Sequence, residues 1–263
     1  MHTWHWHTWN DLPYLTCSLL ESFPHGFFTQ QFSPRPPDEL VQALQPQAET
    51  YRVKQVHGNT VLSSSEAKAF VGQAAPPTEV EFASADGLLT ERAEQAVWVC
   101  TADCTPALIA DTRTGQVAAV HAGWRGTAMK IVPQAIARLR AQGSQLADLR
   151  IALGPAISGE VYQVSTQVAT EVGATIAALD PDNPEQSVDQ LYQIPHSPVR
   201  PDPQAGRVRL DVRRVNVLQL EQLGIAPEQI AIAPHCTYQQ PEHFFSYRRD
   251  RLKKVQWSGI VSV

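Results

Sequence analysis

A thiol and an imidazole seventeen positions apart, Cys104 and His121, lie within the stretch TADCTPALIADTRTGQVAAVHAGWRGT, Thr101–Thr127. Between them are two apolar runs, Pro106–Ala110 and Val117–Val120, joined by a polar turn at Asp111–Gly115. Such runs predict an antiparallel hairpin, which sets the start of its first strand beside the end of its second. Cys104 precedes the first strand and His121 follows the second, so their side chains are expected to meet. Three chemistries use such a pair. With His57 as a third ligand, two imidazoles and a thiolate suit zinc and leave a fourth position for water or substrate. Zinc brings the pKa of a bound water from about 15.7 toward roughly 7. Without metal, Cys104 is a nucleophile and His121 its base, as in acyl transfer. A blue-copper centre needs a weak axial methionine as well. The chain has only Met1 and Met129, and Met129 falls on a helical stretch, which makes a poor fit.

Charged residues nearby add to the site. Arg125, within Gly123-Trp124-Arg125-Gly126, stands just before a predicted helix. Unpaired N–H groups and the helix dipole favour an anion there, so phosphate or carboxylate is its expected partner. Arg248 and Arg249 follow an aromatic run, Phe244–Tyr247, and one of them is a second cation for the same pocket. Asp86 and Asp103 either orient a histidine through a hydrogen bond or cap turns.

The elements that must hold these residues can be read in outline. Trp4–Trp9 alternates in the period of an edge or opening strand, and its three early histidines read as the wet face of an aromatic strand. Asp38–Leu44 follows two prolines and predicts a short helix. Thr50–Val56 is a strand candidate ending at His57, 63–81 a polar loop, and Ala96–Thr101 a strand leading into the site, with Cys100 a buried small hydrophobe. Thr127–Gln142 has helical spacing with Pro133 as a kink or delayed start. Arg150–Leu153 is a strand, and Ser165 caps a helix running to about Leu179. The segment 180–206 holds six prolines and predicts an exposed surface insertion. Arg207–Leu210, Ile230–Ala233 and Val255–Val263 are strands, and Asp211–Leu223 is a helix ending at Gly224. Strands outnumber helices without βαβ alternation, which predicts an α+β domain over residues 1–263.

Composition narrows the class. Apolar residues make up 43% and charged residues 18% of the 263, with net charge −5 and no basic stripe, against nucleic-acid or membrane-surface binding. No apolar run approaches the roughly 18 residues of a membrane span, and the first residues lack the pattern of a signal peptide. Four cysteines without a CxxC pair predict a reduced, cytoplasmic protein with no disulfide framework.

Several segments in order, QVHG (Gln55–Gly58), ADG (Ala85–Gly87), TADCTPALIAD (Thr101–Asp111), AAVHAGWRGT (Ala118–Thr127), GPAISGEVYQV (Gly154–Val164) and CTY…FFSYRRD (Cys236–Asp250), resemble the YfiH-like laccase-domain family. The resemblance runs from about Phe27 to Asp250. It implies a mixed β-sheet sandwich flanked by helices and a zinc held by His57, Cys104 and His121. It further implies phosphorolysis of purine nucleosides (adenosine, inosine, guanosine and methylthioadenosine) with adenosine deamination as a second activity. Nucleoside and phosphate are then the partners, acting on a monomer or homodimer. Cys104, His121 and Arg125 are the expected catalytic residues, and Gln55, Arg125 and Arg248 the expected substrate contacts. An older description, copper-dependent polyphenol oxidase, stands as the alternative, beside the metal-free cysteine hydrolase. One segment departs from the family. Where it usually carries Phe-Ser-Thr-Arg and a Gly-Gly turn, this chain has Phe28-Thr29-Gln30-Gln31-Phe32, with Arg35 as the next cation. Phosphorolysis is therefore expected to suffer more than deamination.

Overall fold

The central hairpin is buried on both faces, and the rest of the chain is layered around it. A computed structural model describes residues 2–71 and 81–263. Strands β5 (Val61–Ser63), β6 (Gly87–Leu89), β8 (Thr105–Asp111), β9 (Val117–Ala122), β10 (Leu149–Leu153) and β14 (Ile230–Ile232) form one sheet, in the order β14-β10-β8-β9-β6-β5. A second sheet holds β1 (Trp4–Trp9), β2 (Leu12–Cys17), β3 (His25–Phe28), β4 (Glu49–Tyr51), β7 (Gln95–Thr101) and β15 (Gln256–Val261), in the order β1-β2-β3-β15-β7-β4. β1 is an edge strand, as its alternation predicts.

Strand periodicity assigns side chains to layers. Leu108 and Ala110 of β8, with Val117 and Ala119 of β9, face Val97, Val99, Phe27 and Ile260 of the second sheet, closing the sandwich. Their neighbours Ala107, Ile109, Ala118 and Val120 point the other way, onto helices α4 (Ile131–Ala141) and α7 (Val212–Gln222). A sheet covered on both faces needs a continuous apolar run rather than an alternating one, and this is what Pro106–Ala110 and Val117–Val120 supply. The outer face of the second sheet, with Phe28 and Trp98, is covered by Phe32, Leu40 and Val41 around α1 (Pro37–Leu40).

Several boundaries differ from the sequence reading. The strand expected over Thr50–Val56 pairs only through Tyr51, with a single further bridge at Lys54. The loop expected over 63–81 begins with a helix, α2 (Ser64–Val71), while 72–80 lie outside the described residues. Its signal was a capping box: Ser63 Oγ accepts from the Glu66 N–H at 3.2 Å and Glu66 Oε2 accepts from the Ser63 N–H at 2.7 Å. Thr127–Gln142 divides into α3 (Trp124–Ala128) and α4, because Lys130 takes a left-handed φ of 58° between them. Pro133 then falls in the first turn of α4, where its missing N–H costs nothing. The Ser165-capped helix α5 (Thr166–Gly173) stops short of Leu179. The segment 180–206 is only partly exposed. It carries α6 (Pro184–Tyr192) and β12 (Val199–Pro201), which pairs with β13 (Arg207–Leu210) and, through it, β11 (Gln163–Ser165). Val188, Leu191 and Val199 are buried there against Val172, Leu210 and Val215. Six prolines concealed this because most stand at element ends, outside the pairing. No helix among the described residues is long and apolar enough to cross a membrane.

Candidate metal centre

The hairpin register pairs Pro106 with His121 and Thr105 with Ala122, which carries Cys104 to the level of Gly123. The expected meeting of thiol and imidazole follows from that register. His57 arrives from the loop after β4, and one ligand atom each of His57, Cys104 and His121 lie within 4.8 Å of one another. The two imidazole rings stand edge to face, 4.9 Å apart at 84°. His121 is buried, Cys104 half-buried and His57 exposed, so the cluster opens to solvent on the His57 side.

Asp86, fully buried, holds the arrangement together. Its Oδ1 accepts from the His57 N–H at 2.9 Å and from His121 Nδ1 at 2.8 Å; its Oδ2 accepts from the N–H groups of Val56 at 3.2 Å and Gly58 at 2.7 Å. The Asp86 carbonyl also accepts from the His121 N–H at 2.7 Å. Three consecutive amides are thus turned onto one carboxylate, and His57 takes a left-handed φ of 61° to permit it. With Nδ1 of His121 engaged, Nε2 is its one nitrogen left to serve as a ligand, the carboxylate–histidine pattern that fixes a metal-binding tautomer. Both roles considered for Asp86 are observed: it orients His121 and caps the loop at Val56–Gly58.

Glycine makes room for the thiol. A Cβ on Gly123 would lie 2.8 Å from Cys104 Sγ, and one on Gly126 3.1 Å from the Gly58 carbonyl beside His57. Any side chain at Gly123 would therefore enter the space of the ligand atoms. Burial alone would raise the Cys104 thiol, but the His121 and His57 imidazoles outweigh it and bring the pKa down to about 6. Burial likewise disfavours the charged His121 ring, and the Cys104 thiolate with Asp86 overcomes this, up to about 9. Each of the two groups thus favours the charged form of the other. A soft thiolate with two imidazoles and space left free is a donor set that fits zinc with an open coordination position.

Other elements bring side chains toward this cluster. Asp103, at φ 88°, precedes Cys104 and ties two loops to it. Its carboxylate accepts from Thr237 Oγ1 and from the Arg248 N–H, both at 2.7 Å, and its carbonyl from the Ile157 N–H at 2.9 Å. Arg248 lies over the Tyr162 ring at 4.7 Å and donates from Nη1 to the Gln163 carbonyl. Burial, then the nearby Cys104 thiolate, push the Tyr162 hydroxyl up to about 12, against the pull of Arg248 and Arg125. Tyr162 is thus a neutral hydroxyl within electrostatic reach of Cys104 and both arginines. Arg125 is exposed and stacks on Trp124 at 4.5 Å. It sits inside the first turn of α3 rather than ahead of it, since the helix begins one residue before it.

Comparison with known proteins places the chain in a family. The family described as multi-copper polyphenol oxidoreductase laccase matches residues 37–260. The chain belongs to this family. A purine nucleoside phosphorylase of Synechocystis is 52% identical over 260 residues, covering 98% of this chain and 97% of that one. The YlmD purine nucleoside phosphorylase of Bacillus subtilis is 30% identical over 215 residues, 80% of this chain and 69% of that one. Among solved structures, YlmD of Geobacillus stearothermophilus superposes with a TM-score of 0.80 at 24% identity over 98% of each chain. That likeness confirms the mixed sandwich flanked by helices.

Within the family frame, two of the candidate contacts, Gln55 and Arg249, are engaged elsewhere, and so is Gln30 of the departing segment. Gln55 donates to the Cys100 carbonyl at 2.8 Å and accepts from the Cys100 N–H at 2.7 Å, so its amide braces the end of β7. Arg249 is bound to the carbonyls of Thr237, Tyr238 and Phe244. Gln30, at the departing segment, donates its side-chain amide to the Pro241 carbonyl and its backbone N–H to the His243 carbonyl. Tyr162 escaped the sequence reading although it lies within a quoted motif, because nothing local signals that it will come under the electrostatic influence of a thiol 58 positions away.

Proposed function

We propose that the chain is a zinc-dependent purine nucleoside phosphorylase with adenosine deaminase activity. The observation carrying this reading is the 52% identity, along nearly the whole of both chains, to the Synechocystis purine nucleoside phosphorylase. The His57–Cys104–His121 cluster supports it by offering the ligands such an enzyme would need. In this reading His57, Cys104 and His121 hold the ion, and Asp86 fixes the His121 tautomer. Zinc, when bound, supplies Lewis acidity and lowers the pKa of a coordinated water. Arg125, exposed beside the cluster, binds phosphate and holds it for attack at C1′ of the ribose. Arg248 is the second cation; its stacking on Tyr162 and its bond to Gln163 leave it less free than Arg125. Deamination uses the same cluster and a purine, with no phosphate contact. The reading includes a cytoplasmic location, in keeping with four cysteines that are all free.

The family description favours a second reading, copper chemistry. A multi-copper centre needs several ligand groups, whereas one group of three metal-binding side chains exists among the described residues. His5 and His7 of β1, the early histidines, bond instead to Thr3 and Thr16. Metal analysis decides between these. Protein purified without added metal should carry one zinc per chain, and Cys104→Ala and His121→Ala should each lose it with circular dichroism unchanged. Both should also lose phosphate-dependent cleavage of inosine and conversion of adenosine to inosine. Stoichiometric copper, or full zinc retained by Cys104→Ala, defeats the proposal. Activity that survives chelation of the metal but is lost in Cys104→Ala selects the cysteine hydrolase.

A further inference from the structure

A concave site lined by Arg35 lies on the outer side of the β1–β2–β3–β15–β7–β4 sheet. The cavity has a volume of about 240 Å³ and is lined by Arg35, Lys253 and Lys254, with Thr29, Ser33 and Trp257 among the remaining walls. Three cations share it and no carboxylate lines it. Among the described residues none of the three takes part in an ion pair. Like charges gathered without a counter-charge repel, so their positions have to be held by other contacts. For Arg35 and Lys254 those contacts are aromatic. The Arg35 guanidinium packs 5.5 Å from the centre of the Trp9 ring and 5.8 Å from that of Phe32, and Lys254 Nζ stands 5.6 Å from that of Phe245.

Packing on rings uses the face of a guanidinium and leaves its in-plane N–H groups to find acceptors. Arg35 Nη1 is closed to water and so to a ligand; it is the rest of the guanidinium, which makes no side-chain hydrogen bond among the described residues, that an occupant of the cavity would meet. A charged donor without a protein partner is normally satisfied by water or ligand. The chemistry that satisfies a planar cation beside two ammonium groups is a phosphate. The volume falls below the roughly 300–1,000 Å³ of pockets for drug-sized ligands, which suits pyrophosphate or a small sugar phosphate and is tight for a nucleotide.

We infer that this cavity is a binding site for a small phosphate-bearing molecule, distinct from the metal centre and sharing none of its residues. The assignment stands whether or not the chain is a phosphorylase. It gives Arg35 a role that the departure at Gln30 did not suggest: a cation for a separate anion site, with no place in the metal cluster.

Isothermal titration of the full chain tests it, using orthophosphate, pyrophosphate and ribose 5-phosphate as separate probes. One of them should bind one-to-one at this cavity. A preference for pyrophosphate identifies a free anion as the ligand type, and a preference for ribose 5-phosphate a phosphate ester. Binding should persist in Arg125→Ala, which removes the phosphate contact proposed at the metal centre. It should weaken at least tenfold in Arg35→Gln and in the double variant Lys253→Gln/Lys254→Gln, the loss expected for a charge-assisted contact. The lysines are exposed, so the double variant decides the matter if Arg35→Gln fails to fold. The inference is overturned if no probe binds at millimolar concentration. It is equally overturned if the lysine variant binds as the wild type does, or if Arg125→Ala abolishes all binding.

Discussion

Replacing Asp86 by asparagine should loosen the metal centre more than any change that leaves the ligands themselves in place. The carboxylate is fully buried and accepts four hydrogen bonds, three from consecutive amides and one from His121. Asparagine keeps one oxygen and turns an NH2 group toward the two donors that faced the other. Each buried donor left unsatisfied costs about 1–3 kcal/mol, so the variant should lose about 2–6 kcal/mol. Against a typical total of about 5–15 kcal/mol it still folds, with a melting temperature lower by about 5–20 °C. The left-handed backbone of His57, which costs about 1–2 kcal/mol, loses part of its restraint, and the His121 ring loses its fixed tautomer. Loss of a hydrogen-bond partner behind a metal ligand typically weakens metal binding 10- to 100-fold. Competition with a zinc chelator, beside thermal melts of the metal-free proteins, measures both effects. The pH dependence provides a third check. Burial works against ionised Asp86, but His121 and the amides outweigh it and hold the carboxyl below its ordinary range. A group depressed in the folded state contributes its stability in full above the unfolded pKa, near 3.9, and loses it as pH falls through the folded value. The gap between wild type and Asp86→Asn should therefore narrow below about pH 4, and narrow again as pH rises from about 6.5 toward 9, where the His121 charge that Asp86 supports is lost. Zinc affinity within twofold of wild type, with unchanged melting, would refute the role given to Asp86.

Two further substitutions probe the neighbouring residues. Gly123→Ala places a methyl group 2.8 Å from Cys104 Sγ, so bound zinc should fall well below one per chain while the melting temperature of the metal-free protein shifts little; elemental analysis and a melt separate the two. Arg125→Ala should depress phosphate-dependent cleavage of inosine about 10- to 150-fold, the worth of one charge-assisted contact of about 1.5–3 kcal/mol. Adenosine deamination should stay within a few-fold, and equal loss of both activities would make the arginine structural. Gln30→Arg tests the departing segment in the opposite direction. It should raise the phosphate-dependent rate, although it also gives up the bond from Gln30 to the Pro241 carbonyl, so melts should accompany the assay.

Local sequence was enough for features whose physical cause is local. The hairpin was legible because two apolar runs flank a turn, and its register alone brings Cys104 beside His121. The caps at Ser165 and Asp211 were legible because a side-chain oxygen three residues before an amide is a short-range arrangement. The capping box of α2 was equally local and was obscured by the polar composition around it. Tertiary structure decided the contacts that close over long separations. His57 joins the cluster only because Asp86, 29 positions later and next to β6, gathers the amides of Val56, His57 and Gly58. No periodicity encodes that, since one carboxylate satisfying three donors depends on where two loops end. Whether Gln55, Arg248 and Arg249 were free for a ligand was undetermined for the same reason. A side chain's availability depends on which backbone groups fold against it, and those of Cys100, Gln163 and Thr237 are far away in the chain. Arg35 shows the same limit: its charge was plain in the sequence, but the cavity it lines exists only once β15 and the residues before it pack beside Phe32.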